Sequence, residues 1–172
     1  MWSLIWALVG CVVMFILGRV NSPMFISIAI KNYYDDTPLT PPTPGNVYMI
    51  VEATTGKAVT VAYGVPYLQH IKDNNNEYTH WMCTEANNYY GFFNEASGKY
   101  LGHNGYGEIR ASAETMLDWE YFTVRWHDNG GYQLLTPYWH HQLWSVDVAE
   151  DGRRLQRRVD GSTLWHFVKV SE

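Results

Sequence analysis

The densest chemistry in the chain lies in one short stretch, Tyr138-Trp139-His140-His141-Gln142-Leu143-Trp144, with Asp147 close behind. Exposing a Trp leaves apolar surface in water, and a ligand can recover that loss. Tyr138, Trp139 and Trp144 offer ring faces that stack on C–H surfaces, while the imidazoles of His140 and His141 address hydroxyls. The Asp147 carboxylate can accept two hydroxyl protons. This set suits recognition of a sugar. The same residues have a second use, with Trp139 and Trp144 covering the open end of a barrel and the two histidines in water.

Other clusters carry less. His103-Asn104-Gly105-Tyr106 is a polar-aromatic turn, but Asn-Gly is itself a hairpin signal and needs no ligand. His70 and the loop from Lys72 to Glu77 lack the alternating oxygen ligands and closing Glu of a calcium loop. Arg153, Arg154, Arg157 and Arg158 lie between Glu150-Asp151 and Asp160, which reads as a solvated strand face with cross-strand ion pairs. His140 and His141 are neighbours, so on a strand they point to opposite faces, and no third metal ligand accompanies them. No Gly-x-Ser-x-Gly elbow, phosphate-binding glycine loop or His-Glu-x-x-His is present. Cys83, beside Trp81, is expected to be buried and inert, and Cys11 lies in an apolar run, so neither a disulfide nor a Cys-based zinc site can form. The expectation is a non-catalytic protein with no metal and no cofactor.

The elements that must hold these residues can be sought in the rest of the chain. Among 172 residues, 12 Lys and Arg face 17 Asp and Glu, and aromatics reach 16% against only 17% charged residues. That much apolar surface excludes a disordered polar chain, and the net acidity argues against nucleic acid as a partner. Residues 1–18 carry no charged side chain, which is long enough for a membrane-spanning helix. Three readings stand for the segment 1–23: a single-pass anchor spanning residues 2–18, a cleaved signal peptide that leaves a secreted product, or a start at Met24 that leaves a cytoplasmic one. Residues 24–45 form a linker, ending in Thr-Pro-Leu-Thr-Pro-Pro-Thr-Pro-Gly, whose prolines fix an extended chain. The folded domain is expected over 46–172.

Within it the sequence repeats every 42 residues. Tyr48, Tyr90 and Tyr132 superpose, as do Ile50, Phe92 and Leu134, and Val59, Leu101 and Leu143. Gly56-Lys57 meets Gly98-Lys99, where the third copy has His140-His141. Each copy closes on a tryptophan followed by alternating apolar residues: Trp81, Trp119 (four residues early) and Trp165. Repeats at 46–88, 89–130 and 131–172 each read as four short strands separated by Gly- and Asn-rich turns. Three blades are too few for a propeller. Twelve strands in threefold repetition predict an all-β protein, a β-trefoil with a barrel and a hairpin cap, preceded by an apolar helix.

Two stretches carry a family resemblance. Gly45 to Val59, and Tyr90-Gly-Phe-Phe-Asn-Glu-Ala-Ser-Gly-Lys-Tyr-Leu101, resemble ricin-B-type lectin repeats and the fascin-type units of the same fold. In the lectins, as the resemblance implies, a Gln stands two residues before the repeat Trp; Thr79, Leu117 and Thr163 stand there in this chain. An Asp that binds sugar hydroxyls follows the Leu of the second strand; the 42-residue alignment puts Thr60, Gly102 and Trp144 at that place. The expected function is a lectin-like carbohydrate-binding module acting through Tyr138, Trp139, His140, His141, Trp144 and Asp147. The alternative is a fascin-like protein-interaction or structural trefoil with no sugar site.

Overall fold

The computed structural model describes residues 39–71, 76–139 and 142–170. The apolar segment 1–23 and its expected helix lie outside them, as do Lys72 to Asn75 and both His140 and His141. Among the described residues no helix is long and apolar enough to cross a membrane.

The alternating residues form strands in three sets of four. The first set is β1 (Val47–Glu52), β2 (Ala58–Ala62), β3 (Val65–Gln69) and β4 (Trp81–Ala86). The second is β5 (Tyr89–Asn94), β6 (Lys99–His103), β7 (Ile109–Ala113) and β8 (Thr123–His127). The third is β9 (Gly131–Tyr138), β10 (Gln142–Val148), β11 (Leu155–Arg158) and β12 (Trp165–Lys169). Single 3-10 turns at Glu77–Thr79 and Asp118–Glu120 are the helical content among the described residues.

The first and fourth strands of each set pair around a ring. β1 pairs with β4, β4 with β5, β8 with β9, β9 with β12, and β12 with β1. The remaining junction is the two-way bridge between Tyr90 and Phe122, with both N–H···O distances 2.8 Å. This closes a six-stranded antiparallel barrel without a free edge. The second and third strands make three hairpins that cap one end and bond to one another in a cycle. Ala111 N–H donates to Gly64 O at 3.0 Å, Arg157 N–H to Gly107 O at 2.7 Å, and Leu68 N–H to Arg153 O at 2.8 Å. One kind of contact, made three times around an axis, defines a pseudo-threefold β-trefoil.

Ile50, Phe92 and Leu134 are fully buried in a single cluster with Tyr48 and Tyr132, and Tyr90 packs against it. Phe92 stacks on Phe167 at 5.6 Å and tilts against Phe122 at 5.8 Å. The matched positions meet at the centre, as the repeat predicts.

Two matches from the ungapped repeat are corrected. Trp81 lies opposite Tyr48 and Trp165 opposite Tyr132, but the residue opposite Tyr90 is Phe122, not Trp119. Phe122 is buried, while Trp119 is 52% exposed on its 3-10 turn. A barrel interior needs a large apolar ring at this position, and Phe supplies one as Trp does. The second correction concerns Leu143, which is 37% exposed and is not the partner of Val59 and Leu101. The Trp81 indole donates to Val59 O at 2.9 Å, and the Trp165 indole donates to Val146 O at 3.1 Å. Val146 is therefore the third member, and repeat three carries three extra residues between β9 and β10.

The extra length follows from local chemistry. At the first turn of repeat one, Glu52 accepts from the N–H groups of Thr54 and Thr55 at 2.7 Å each; in repeat two, Asn94 Oδ1 accepts from Ser97 N–H at 2.9 Å. Gly56 (φ 69°) and Gly98 (φ 66°) then take the left-handed conformation that lets the chain reverse. Repeat three has Thr136 and His140 at those places, and the buried Thr136 Oγ1 has no partner. With neither cap nor glycine the strands run on, pairing Thr136 with Trp144, Pro137 with Leu143 and Tyr138 with Gln142. The result is a β-arm.

Candidate functional site

The arm projects beside the second repeat, and the two together wall an open cleft of about 650 Å³. Repeat two contributes Tyr89, His103, Asp118, Trp119 and Tyr121; the arm contributes Pro137, Tyr138, Trp139 and Leu143. Trp139 is 71% exposed at the arm tip. Rings form a continuous chain through the site. Trp119 stacks on His103 at 5.6 Å, His103 stands edge-on to Tyr138 at 6.2 Å, and Tyr138 contacts Trp144 at 4.6 Å and Trp139 at 6.3 Å. Tyr89 and Tyr121 stack at 5.1 Å, and the Tyr121 hydroxyl accepts a hydrogen bond from Asn87 at 2.7 Å.

Beneath the rings lies a buried cation. The Arg157 guanidinium sits 3.6 Å from the Tyr138 ring centre and 5.3 Å from that of Trp144, within cation–π range. Its Nη1 donates to His103 Nδ1 at 2.6 Å. Nδ1 must therefore be the unprotonated nitrogen of a neutral ring, since a guanidinium cannot accept. Burial and the adjacent Arg157 charge hold His103 down at about 4. Burial also lowers the Arg157 pKa. The sequence reading of these arginines as a solvated, ion-paired face is corrected: Arg157 is buried, and Arg153 lies over the Tyr67 ring at 4.6 Å. Arg154 pairs with Asp151 within its own turn. Register decides this, because Arg157 opposes Val146 and so shares the inward face with Val146 and Trp144.

The six expected site residues are only partly brought together. Tyr138 and Trp139 line the cleft, and Trp144 packs under Tyr138. His140 and His141 lie outside the described residues. Asp147 is on the opposite face of β10 from Trp144, as the spacing of three residues on a strand requires. It is buried, and its Oδ1 accepts from Thr163 N–H at 2.8 Å and from the Thr163 hydroxyl. With Val146 as the third core residue, Asp147, not Trp144, follows it; and with Phe122 in place of Trp119, Glu120, not Leu117, stands two residues before the ring. Repeat three therefore keeps an aspartate at the position that the resemblance to lectins assigns to sugar hydroxyls.

His103, Asp118, Trp119, Tyr89 and Tyr121 line the cleft, and the sequence reading did not assign them to it. His103 was legible as half of a polar-aromatic turn. Trp119 carried a signal too, since it broke the repeat by arriving four residues early. A tryptophan out of register is free of the core.

A second hollow of about 400 Å³ lies where the three cap hairpins meet, lined by Val65, Ile109, Leu155, Glu108, Arg110 and Arg154 among others. Its charged groups are already satisfied: Glu108 holds Arg110 at 2.6 Å and Asn104 at 2.7 Å, and Asp151 holds Arg154 at 2.6 Å. Cys83 is buried and its thiol is pushed up to about 12 by that burial, so it is no nucleophile. Among the described residues no three His, Cys, Asp or Glu side chains gather to hold a metal ion.

Comparison with known proteins agrees with this architecture. Residues 38–117 match the family model described as "Ricin-type beta-trefoil lectin domain-like", a stretch that ends before the arm. No curated protein matches the chain. Among solved structures it is similar to the GlcNAcα1-4Gal-releasing endo-β-galactosidase from Clostridium perfringens, with 18% identity, a TM-score of 0.63, and coverage of 73% of this chain and 33% of that one. It is similar to the ricin B-like lectin of Macrolepiota procera, solved in complex with lactose, at 13% identity and a TM-score of 0.54, covering 77% of this chain and 92% of the lectin. It is similar also to SeviL, solved bound to asialo-GM1 saccharide, at 17% identity and a TM-score of 0.56, covering 72% and 95%. The chain spans about a third of the clostridial enzyme. The chain resembles the ricin-B-type lectins, and these likenesses establish a shared β-trefoil.

Proposed function

We propose that this trefoil, residues 46–172, is a non-catalytic recognition module that binds carbohydrate through the aromatic arm of its third repeat. One observation carries the reading: the arm is where the molecule departs from its own threefold pattern, and the departure puts aromatic side chains at the wall of a cleft. Trp139 offers a largely exposed ring, Tyr138 lines the wall, and Trp144 with Arg157 holds Tyr138 from behind. Burying an aromatic face against the C–H surface of a pyranose recovers apolar hydration while leaving sugar hydroxyls to polar neighbours. His140 and His141 follow Trp139 in the sequence and carry imidazoles of the kind that serve such hydroxyls. Asp147, buried and accepting from Thr163, stands apart from the arm at the position the lectin resemblance marks. The likeness to two folds solved with lactose and with asialo-GM1 saccharide supports this choice of ligand class. The uncharged stretch 2–18 makes single-pass display on a membrane the setting we propose for the module.

Glycan-array binding of the parent and of Trp139→Ala tests the reading. The parent binds some glycan saturably; Trp139→Ala loses at least most of that binding while its thermal transition and near-ultraviolet dichroism stay unchanged. A parent that binds no glycan on the array overturns the proposal and leaves the protein-interaction trefoil in its place.

A further inference from the structure

The wall facing the arm is not part of repeat three, and this determines what size and charge of ligand fits. It is made by Asp118, Trp119 and Tyr121 of repeat two, with Tyr89 stacked on Tyr121. Trp119 keeps one face on His103 and is 52% exposed. In repeat one the counterpart, three residues before the core ring, is Tyr78, and in repeat three it is Ser162.

We infer that the cleft grips an extended, non-acidic oligosaccharide of two or more sugar residues, with Trp119 of repeat two and Trp139 of the arm acting as separate stacking platforms. Three observations converge. Two of the exposed tryptophans, Trp119 and Trp139, belong to different repeats yet line one cleft, so a ligand touching both must span the junction. The space of about 650 Å³ falls in the range of a site for a ligand larger than a single small ring. The charge is one-sided: among the described lining residues Asp118 alone has a formal charge, since His103 is neutral at pH 7. The Arg157 cation does not line the cleft, being buried behind Tyr138. A sulfate, uronate or sialate entering the cleft would meet the Asp118 carboxylate with no cation among the described lining residues to offset it. Neutral and amino sugars meet no such repulsion.

This inference rests on the carbohydrate reading, and its test separates the two. The full domain is titrated with neutral oligosaccharides of one to six residues (glucose, galactose, mannose and N-acetylglucosamine series) and with sulfated and sialylated counterparts. The parent gains affinity with chain length, by about ten-fold per added platform. Trp119→Ala abolishes that gain; Trp119→Phe restores part of it and guards against a folding artefact. Asp118→Asn narrows the preference for neutral over sulfated chains. If a neutral sugar binds but Trp119→Ala keeps the full chain-length gain, or if acidic glycans bind best, the two-platform cleft is wrong while carbohydrate binding stands. If no glycan binds, both readings fall together.

Discussion

Arg157 and His103 meet at 2.6 Å in the interior beneath the cleft, and among the described residues no carboxylate is bonded to that arginine. The pair holds only while the imidazole is neutral, because a protonated ring would put two cations in contact at low dielectric. The consequence for stability has a definite sign. In the unfolded chain His103 titrates near its ordinary 6.5, and in the fold at about 4. Above 6.5 the ring is neutral in both states and costs nothing. Between 6.5 and 4 the unfolded chain takes up a proton that the fold refuses, so stability falls as pH falls, by about 3 kcal/mol in all, and levels off below 4. His166, also lowered by burial, acts in the same direction. Urea unfolding of the parent and of His103→Gln between pH 7.5 and 4 should show a steep loss in the parent and a shallower one in the variant. Parallel curves would mean the Arg157 contact does not restrain the ring. None of this was visible in the sequence, where Arg157 is one of four arginines in a locally balanced run. Its burial is a property of register, fixed by which residue of β10 it opposes.

At the scale of elements, the arm is what a hairpin becomes when its turn loses its instructions. Repeats one and two specify reversal twice over, by a capping side chain and by a left-handed glycine, and repeat three specifies neither. The absence of Gly-Lys at His140-His141 was legible, and it identified the arm as the place where the repeat breaks. The length of the break was not. An ungapped slide of 42 residues put Leu143 over Val59 and hid three extra residues, because an exposed leucine and a buried valine look alike to a hydrophobic pattern. Repeat two misled in the same manner, since tryptophan is conspicuous and phenylalanine is not, so Trp119 was matched where Phe122 belongs. If the arm is an appendage for recognition, removing it should spare the core. Replacing Pro137–Leu143 by a Glu-Ala-Ser-Gly turn like that of Glu95–Gly98 should give a chain whose melting temperature stays within a few degrees and whose glycan binding is lost. Ile50, Phe92 and Leu134 are untouched by the change. Unfolding of this variant would show instead that Tyr138 and Trp144 are needed to cover Arg157, and that the arm is part of the structure it decorates.

For the molecule as a whole, threefold closure makes the seams of the barrel interchangeable. β1 runs antiparallel to β12, with Tyr48 opposite Lys169, and Val170 N–H donates to Val47 O at 2.9 Å. β4 and β5 are joined at an equivalent seam by the two-residue turn Asn87-Asn88, both residues in the left-handed region at φ 53° and 64°. One seam is covalently bridged and the other is not, yet both lie between a fourth strand and a first. The barrel is stabilised by the rings meeting on the axis, to which chain direction is indifferent. A circular permutant opened between Asn87 and Asn88, with Val170 joined to Asn46 by a short Asn-Gly turn, should therefore reach the same core. Its melt should stay cooperative and its near-ultraviolet dichroism native. The cut removes one short loop closure and adds another, and closure entropy varies only slowly with loop length, so the melting temperature should shift by only a few degrees. Folding should be slow in both chains, because in each the final seam joins strands separated by nearly the whole domain. A permutant that melts without a cooperative transition would show that the β1–β12 seam holds something its threefold mates lack. The residues to examine would then be Met49, Val51, Ala58 and Val168, a small apolar cluster distinct from the axial core, to which both strands of that seam contribute.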